Sequence, residues 1–169
     1  MAMDIAKLIE SLVSDLMSEI LSHTKDCLWR KIKLYRFNKS LSSWIRNFIN
    51  SHDGSALTSG DFEVFLNYQK PLDKIADAIV GDNPLNTSDA IIEEIVAQFK
   101  TRHSKRNNIT CFDEMILKDL FCGIYQRIDL FYRKQLSDSE RYMIAQLKKH
   151  RARLLLPKKK PALRLSTIF

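Results

Sequence analysis

Metal-dependent chemistry needs several His, Cys or carboxylate side chains on one face, with a close pair such as HExxH or ExxH among them. The four histidines, His23, His52, His103 and His150, each stand alone, near an expected helix end or loop where a solvated imidazole accounts for them. Glu93-Glu94 and Asp113-Glu114 are adjacent carboxylates, but neighbours on a helix point about 100° apart and do not share a substrate. The preference of acids for the positive helix end explains both pairs. Cys111 falls at an expected helix start, a place that suits a thiol nucleophile, yet no histidine is close enough in sequence to serve as its base. A phosphate-wrapping loop needs clustered glycines, and Gly54, Gly60, Gly81 and Gly123 are scattered. The expectation is no catalytic residue, no metal and no cofactor.

Helical ribonucleases of the HEPN kind set an Arg and a His a few residues apart on one helix so that both reach a phosphate. Arg102 and His103 are adjacent and Arg141 is far from His150, so that spacing is absent. Basic clusters remain. Arg30, Lys31, Lys33, Arg36 and Lys39 interleave with Trp29, Tyr35 and Phe37, a composition suited to phosphate contact with base stacking. The plainer reading, which the composition favours, is that the aromatics are core and the cations a solvated face. Lys100, Arg102, Lys105 and Arg106 form a second cluster, read as an exposed loop. The third is the C-terminus, where Arg141, Lys148, Lys149, Arg151, Arg153, Lys158, Lys159, Lys160 and Arg164 meet no Asp or Glu. Residues 1–140 hold 18 Lys and Arg against 20 Asp and Glu, so the net charge of +7 is carried by the end of the chain. Such a segment contacts nucleic acid or an acidic partner, or serves as a soluble linker.

The elements that position these residues are helices. Ile5, Leu8, Ile9, Leu12, Val13, Leu16, Met17, Ile20 and Leu21 recur at steps of three and four, drawing one apolar stripe. From Cys27 to Phe37 a second helix is expected, with Leu28, Ile32 and Tyr35 on one face. Ser40 then opens a third through Leu41, Trp44, Ile45, Phe48 and Ile49, which Asp53-Gly54 ends. Thr58 and Asp61 have capping-box spacing before Phe62, Phe65 and Leu66, and Pro71 opens the next helix, which ends at Gly81. Ile91, Ile92, Ile95, Val96 and Phe99 mark another. Thr110 with Asp113, then Ser137 with Glu140, start the last two helices, with Met143, Ile144 and Leu147 as inward positions of the final one. The fold expected is all-α, a compact bundle of seven or eight helices over residues 3–153, followed by a basic extended C-terminal tail or linker over 154–169. Four Gly and four Pro in 169 residues argue against a many-turned β fold.

Acidic and basic residues interrupt the N-terminal apolar stripe, so it is neither a signal-peptide core nor a membrane span. A cytoplasmic chain with no membrane contact is expected, and Cys27, Cys111 and Cys122 read as reduced, mostly buried thiols.

Two segments carry a resemblance. Asp53-Gly54, Leu57, Phe62, Phe65-Leu66, Tyr68 and Lys70-Pro71, followed by Phe131-Tyr132-Arg133, Gln135-Leu136-Ser137 and Glu140-Arg141, make a pattern. It resembles the helical N-terminal domains of bacterial NACHT and related STAND NTPases of antiphage defence, over Leu41 to Leu147. That resemblance implies a helical module set before a nucleotide-binding oligomerisation domain, where it senses, docks an effector or holds the NTPase closed. The chain departs from the full family pattern in having no G-x-x-x-x-G-K-[ST], since no glycine is followed by Lys. It is then either one domain of a longer protein or a relative whose NTPase is encoded elsewhere. The expected function is a non-catalytic interaction domain of a prokaryotic antiviral system. Its partner is another protein or the remainder of a longer chain, with self-association left open. The alternative is a nucleic-acid-binding module using the tail and residues 30–39.

Overall fold

The computed structural model describes residues 5–22, 28–53, 55–81, 88–103 and 109–155. Among them are seven α-helices, one 3-10 turn and no strand. The helices are α1 (Ile5–Ser22), α2 (Leu28–Ser51), α3 (Gly60–Gln69), α4 (Pro71–Gly81), α5 (Ser88–His103), α6 (Cys111–Gln135) and α7 (Asp138–Leu155), with the 3-10 turn at Ala56–Thr58. Helix α1 lies on α2 and α4, α6 runs against α5 and α2, and α7 packs on α4.

Helix α6 is the axis. Its buried residues, Ile116, Leu117, Leu120, Phe121, Gly123, Ile124, Ile128, Phe131 and Tyr132, face more than one neighbour, as expected of a helix surrounded by others. Phe121 joins Phe62, Phe65 and Phe99 in an aromatic knot between α3, α5 and α6, with edge-to-face centroid distances from 5.1 Å to 6.5 Å. All four rings are almost completely buried. The periodic positions of α3 and α5 named from sequence all lie in this core.

The caps are built locally. Thr110 Oγ1 accepts from the Asp113 amide at 3.1 Å, while the Asp113 carboxylate accepts from the Thr110 amide at 3.1 Å. The same carboxylate accepts from the Ala56 amide at 2.9 Å, so one side chain caps α6 and ties down the 3-10 turn. Burial pushes the Asp113 carboxyl up, but the hydrogen bonds from the Thr110 hydroxyl, the Ala56 amide and the Thr110 amide outweigh it and bring the pKa below its ordinary value. Ser137 and Glu140 form the corresponding pair at α7, with the Ser137 amide donating to Glu140 at 2.9 Å.

Several boundaries differ from the sequence reading. Thr58 does not cap α3; the 3-10 turn absorbs it, and Ser59, one residue later, accepts from the Phe62 amide at 3.2 Å. Ser40 opens no helix, because α2 passes through it without a break. No Gly or Pro lies between Leu28 and Ser51, and Asn38 donates to Ser14 Oγ on α1 at 3.2 Å instead of competing for its own backbone. Lys100 to His103 are the last turn of α5 and not a loop. Helix α7 continues to Leu155, two residues into the stretch read as tail. Lys70, in the left-handed region at φ 46°, turns the chain from α3 into α4.

Helices α2 and α6 approach where there is no side chain. A Cβ on Gly123 would stand 2.3 Å and 2.5 Å from two Trp44 ring carbons. Arg127, one turn on, lays its guanidinium 4.0 Å from the centroid of the same ring and donates to the Gly123 carbonyl at 3.2 Å. The indole is thus held against the α6 backbone.

Two predictions follow from these contacts. Gly123→Ala destabilises the protein by about 1–3 kcal/mol because Trp44 must leave its seat, and adding Trp44→Ala removes the penalty of the extra methyl; thermal melting of the single and double variants checks this. Asp113→Ala costs about 1–3 kcal/mol at neutral pH. Because folding lowers the Asp113 pKa, its contribution is fully present above the unfolded value of about 3.9 and is lost as pH falls through the folded one. Urea unfolding of wild type and variant across acid pH therefore shows the gap closing.

Candidate interaction surface

Carboxylates that offered catalytic pairs are committed to helix contacts. Glu94 binds Lys74 of α4 at 2.6 Å and Glu93 binds Lys118 of α6 at 3.1 Å, so the adjacent pair points to different neighbours. Their role is interhelical pairing and not the first-turn preference assumed from sequence. Glu114 accepts from Lys100 at 2.7 Å, and that hydrogen bond first, with attraction from Lys100 and Lys118, lowers its pKa. Contact with Glu93 first, then Glu114, raises that of Lys118. His52 places Nδ1 2.8 Å from the Phe48 carbonyl and lies tilted against the Phe48 ring. His150 is exposed on α7, and His23 lies outside the described residues. Among the described residues no three His, Cys, Asp or Glu come together as a metal site. Cys111 is exposed at the first position of α6 and Cys122 is half-buried, so the expectation of mostly buried thiols fails for Cys111. Cys27 lies outside the described residues.

The basic residues divide into two helices and an undescribed end. Arg30, Lys31, Lys33, Arg36, Lys39 and Arg46 all belong to α2, which contains no Asp or Glu. Lys31, Lys33, Arg36 and Lys39 are exposed, and Arg46 is turned onto Glu10 of α1 through two hydrogen bonds of 2.7 Å and 3.1 Å. For Arg30 the helix backbone is described. Lys148, Lys149, Arg151 and Arg153 sit on α7, with Lys149 exposed. Lys158, Lys159 and Lys160 lie outside the described residues, as do Lys105 and Arg106. Helix α2 rests on α1 and α6 while α7 rests on α4, so the two basic helices are held by different parts of the bundle.

The face assigned to α2 from sequence is wrong. Tyr35 is 69% exposed and Ile32 sits at the edge of exposure, whereas Leu34, Phe37, Leu41, Trp44, Ile45 and Phe48 turn inward. Phe37 stacks on Phe131 of α6 at 4.3 Å. The error came from reading α2 as two helices: the continuous helix carries the phase of Leu41, Ile45 and Ile49 back toward its start. The reading of Tyr35 as core fails with it, and the reading of Phe37 as core holds.

Helix α7 shows a second surprise. Ile144 and Ala145 are buried, but Tyr142, Met143 and Leu147 are exposed by 68%, 62% and 55%. Met143 and Leu147, expected inward, lie one turn apart on the outer side beside Tyr142. The small Ala145 next to Ile144 was the available signal, since a close seam against α4 prefers the alanine side. Among the described residues no helix is long and apolar enough to cross a membrane. No family model, no curated protein and no solved structure matches the chain.

The inside-outside assignment of α2 is checked by a pair of substitutions. Tyr35→Ala shifts stability by no more than about 0.5 kcal/mol, as for an exposed side chain. Phe37→Ala costs about 2 kcal/mol or more, because it empties a stacked, partly buried site. Denaturant melts of the two variants measure both.

Proposed function

We propose that the protein is a non-catalytic helical interaction domain that docks another protein through the outer side of α7, within a prokaryotic antiphage defence assembly. The observation that carries this reading is the trio Tyr142, Met143 and Leu147, large side chains held in water on a helix that packs on α4 and buries Ile144 and Ala145. Adjacent exposed apolar groups on a rigid helix are the composition of a helix-in-groove contact. Lys149 and His150 beside them supply a basic margin. The assembly is suggested by the resemblance of residues 53–71 and 131–141 to NACHT and STAND N-terminal domains, in which a helical module works against a nucleotide-binding oligomerisation domain. This chain supplies the helical part, and the P-loop is furnished by a longer reading frame or by a neighbouring gene.

The test is co-expression of the chain with the P-loop NTPase encoded beside or in frame with it. A stable complex is expected on size exclusion. Tyr142→Ser/Met143→Ser/Leu147→Ser abolishes it while leaving the circular dichroism and melting of the free chain near wild type. A complex indifferent to the triple substitution, or no complex, rejects the reading.

A further inference from the structure

We propose that the outward face of α2 is a binding site for single-stranded nucleic acid, with Tyr35 as the stacking platform and Lys31, Arg36 and Lys39 as the phosphate contacts. At 100° per residue, Lys31, Tyr35 and Lys39 form one row along the helix, stepping about 6 Å at a time. Ile32 and Arg36 form the row beside it. The order along the first row is cation, aromatic, cation, and it sits in water: Lys31, Tyr35, Arg36 and Lys39 are all exposed. A strand laid along it meets a charge, a ring and a charge, which matches the backbone and base of unpaired nucleotides. Helix α2 has six Lys and Arg and no Asp or Glu, and one of the six, Arg46, is held by Glu10 of α1.

The same geometry separates this ligand from other anions. Bases in a duplex are stacked on one another and offer no face to Tyr35. Insertion into a membrane surface requires an apolar helix face, and that of α2, from Leu34 and Phe37 to Ile45, is spent on the protein interior; attraction to anionic headgroups alone has no use for the ring. An acidic protein would use the charges but has no need of the ring. The face is on α2 and the proposed protein-docking trio on α7, so each reading stands or falls alone.

The experiment is fluorescence anisotropy of the full chain with a labelled mixed-sequence single strand of about 20 nucleotides, DNA and RNA, beside the matching duplex. The single strand is expected to bind more tightly than the duplex. Three or four phosphate contacts give a slope of log affinity against log salt of about −2 to −3. Tyr35→Ala weakens binding by about tenfold or more, Tyr35→Phe and Tyr35→Trp retain it, and Lys31→Glu/Lys39→Glu removes it. Lys158→Ala/Lys159→Ala/Lys160→Ala leaves the Tyr35 dependence intact. The proposal is overturned by absence of binding at about 50 mM salt, by equal affinity for duplex, or by Tyr35→Ala behaving as wild type. It is also overturned if all affinity is lost in the Lys158/Lys159/Lys160 variant, or if poly-glutamate or anionic phosphatidylserine vesicles compete as well as the oligonucleotide.

Discussion

Four phenylalanine rings, Phe62, Phe65, Phe99 and Phe121, meet where three helices cross, and the positions of those helices follow from that meeting. Aromatic groups of this size bury large apolar areas, and edge-to-face contacts admit few relative orientations. Once α3, α5 and α6 are fixed, α6 offers its other sides to α2 and α4. Around this core the ion pairs Lys100 to Glu114 and Lys118 to Glu93 are exposed at the α5–α6 seam. They select register more than they add stability. Stability comes from the buried apolar residues, and the charges decorate a geometry already set.

Buried residues were legible in the sequence where apolar groups recur at regular helical spacing within one segment. The stripe of α1, the inward positions of α5, and the capping pairs Thr110 with Asp113 and Ser137 with Glu140 all depend on spacing within one segment. What could not be read depended on a neighbour. Thr58 and Ser59 are both good caps, and the choice fell to the 3-10 turn, which Asp113 anchors from 57 residues away. Ser40 resembled a start because Ser competes for backbone donors, but packing on α1 kept α2 whole. In α7, Met143 and Leu147 are as apolar as Ile144, and only the closeness of α4 decides which side is hidden.

The charge count shows the same limit. A body balanced between acids and bases looks electrically plain, yet its bases are concentrated on α2 while α1 and α3 carry a surplus of acids. A sum along the chain cannot see a segregation between helices. Nor could it see that Tyr35 stands among the cations and Phe37, two residues on, belongs to the core. That distinction is set by α6, whose Phe131 receives one ring and leaves the other in water.

The contact of Trp44 with Gly123 bears on how such a chain can diverge. A methyl at position 123 meets the indole that lies across it, so a side chain there is borne best beside a smaller residue at 44. Arg127 shares the same ring, and its cation loses its aromatic partner in that exchange. What one of the three positions tolerates is therefore set by the other two, a coupling across α2 and α6 that no spacing within either helix records.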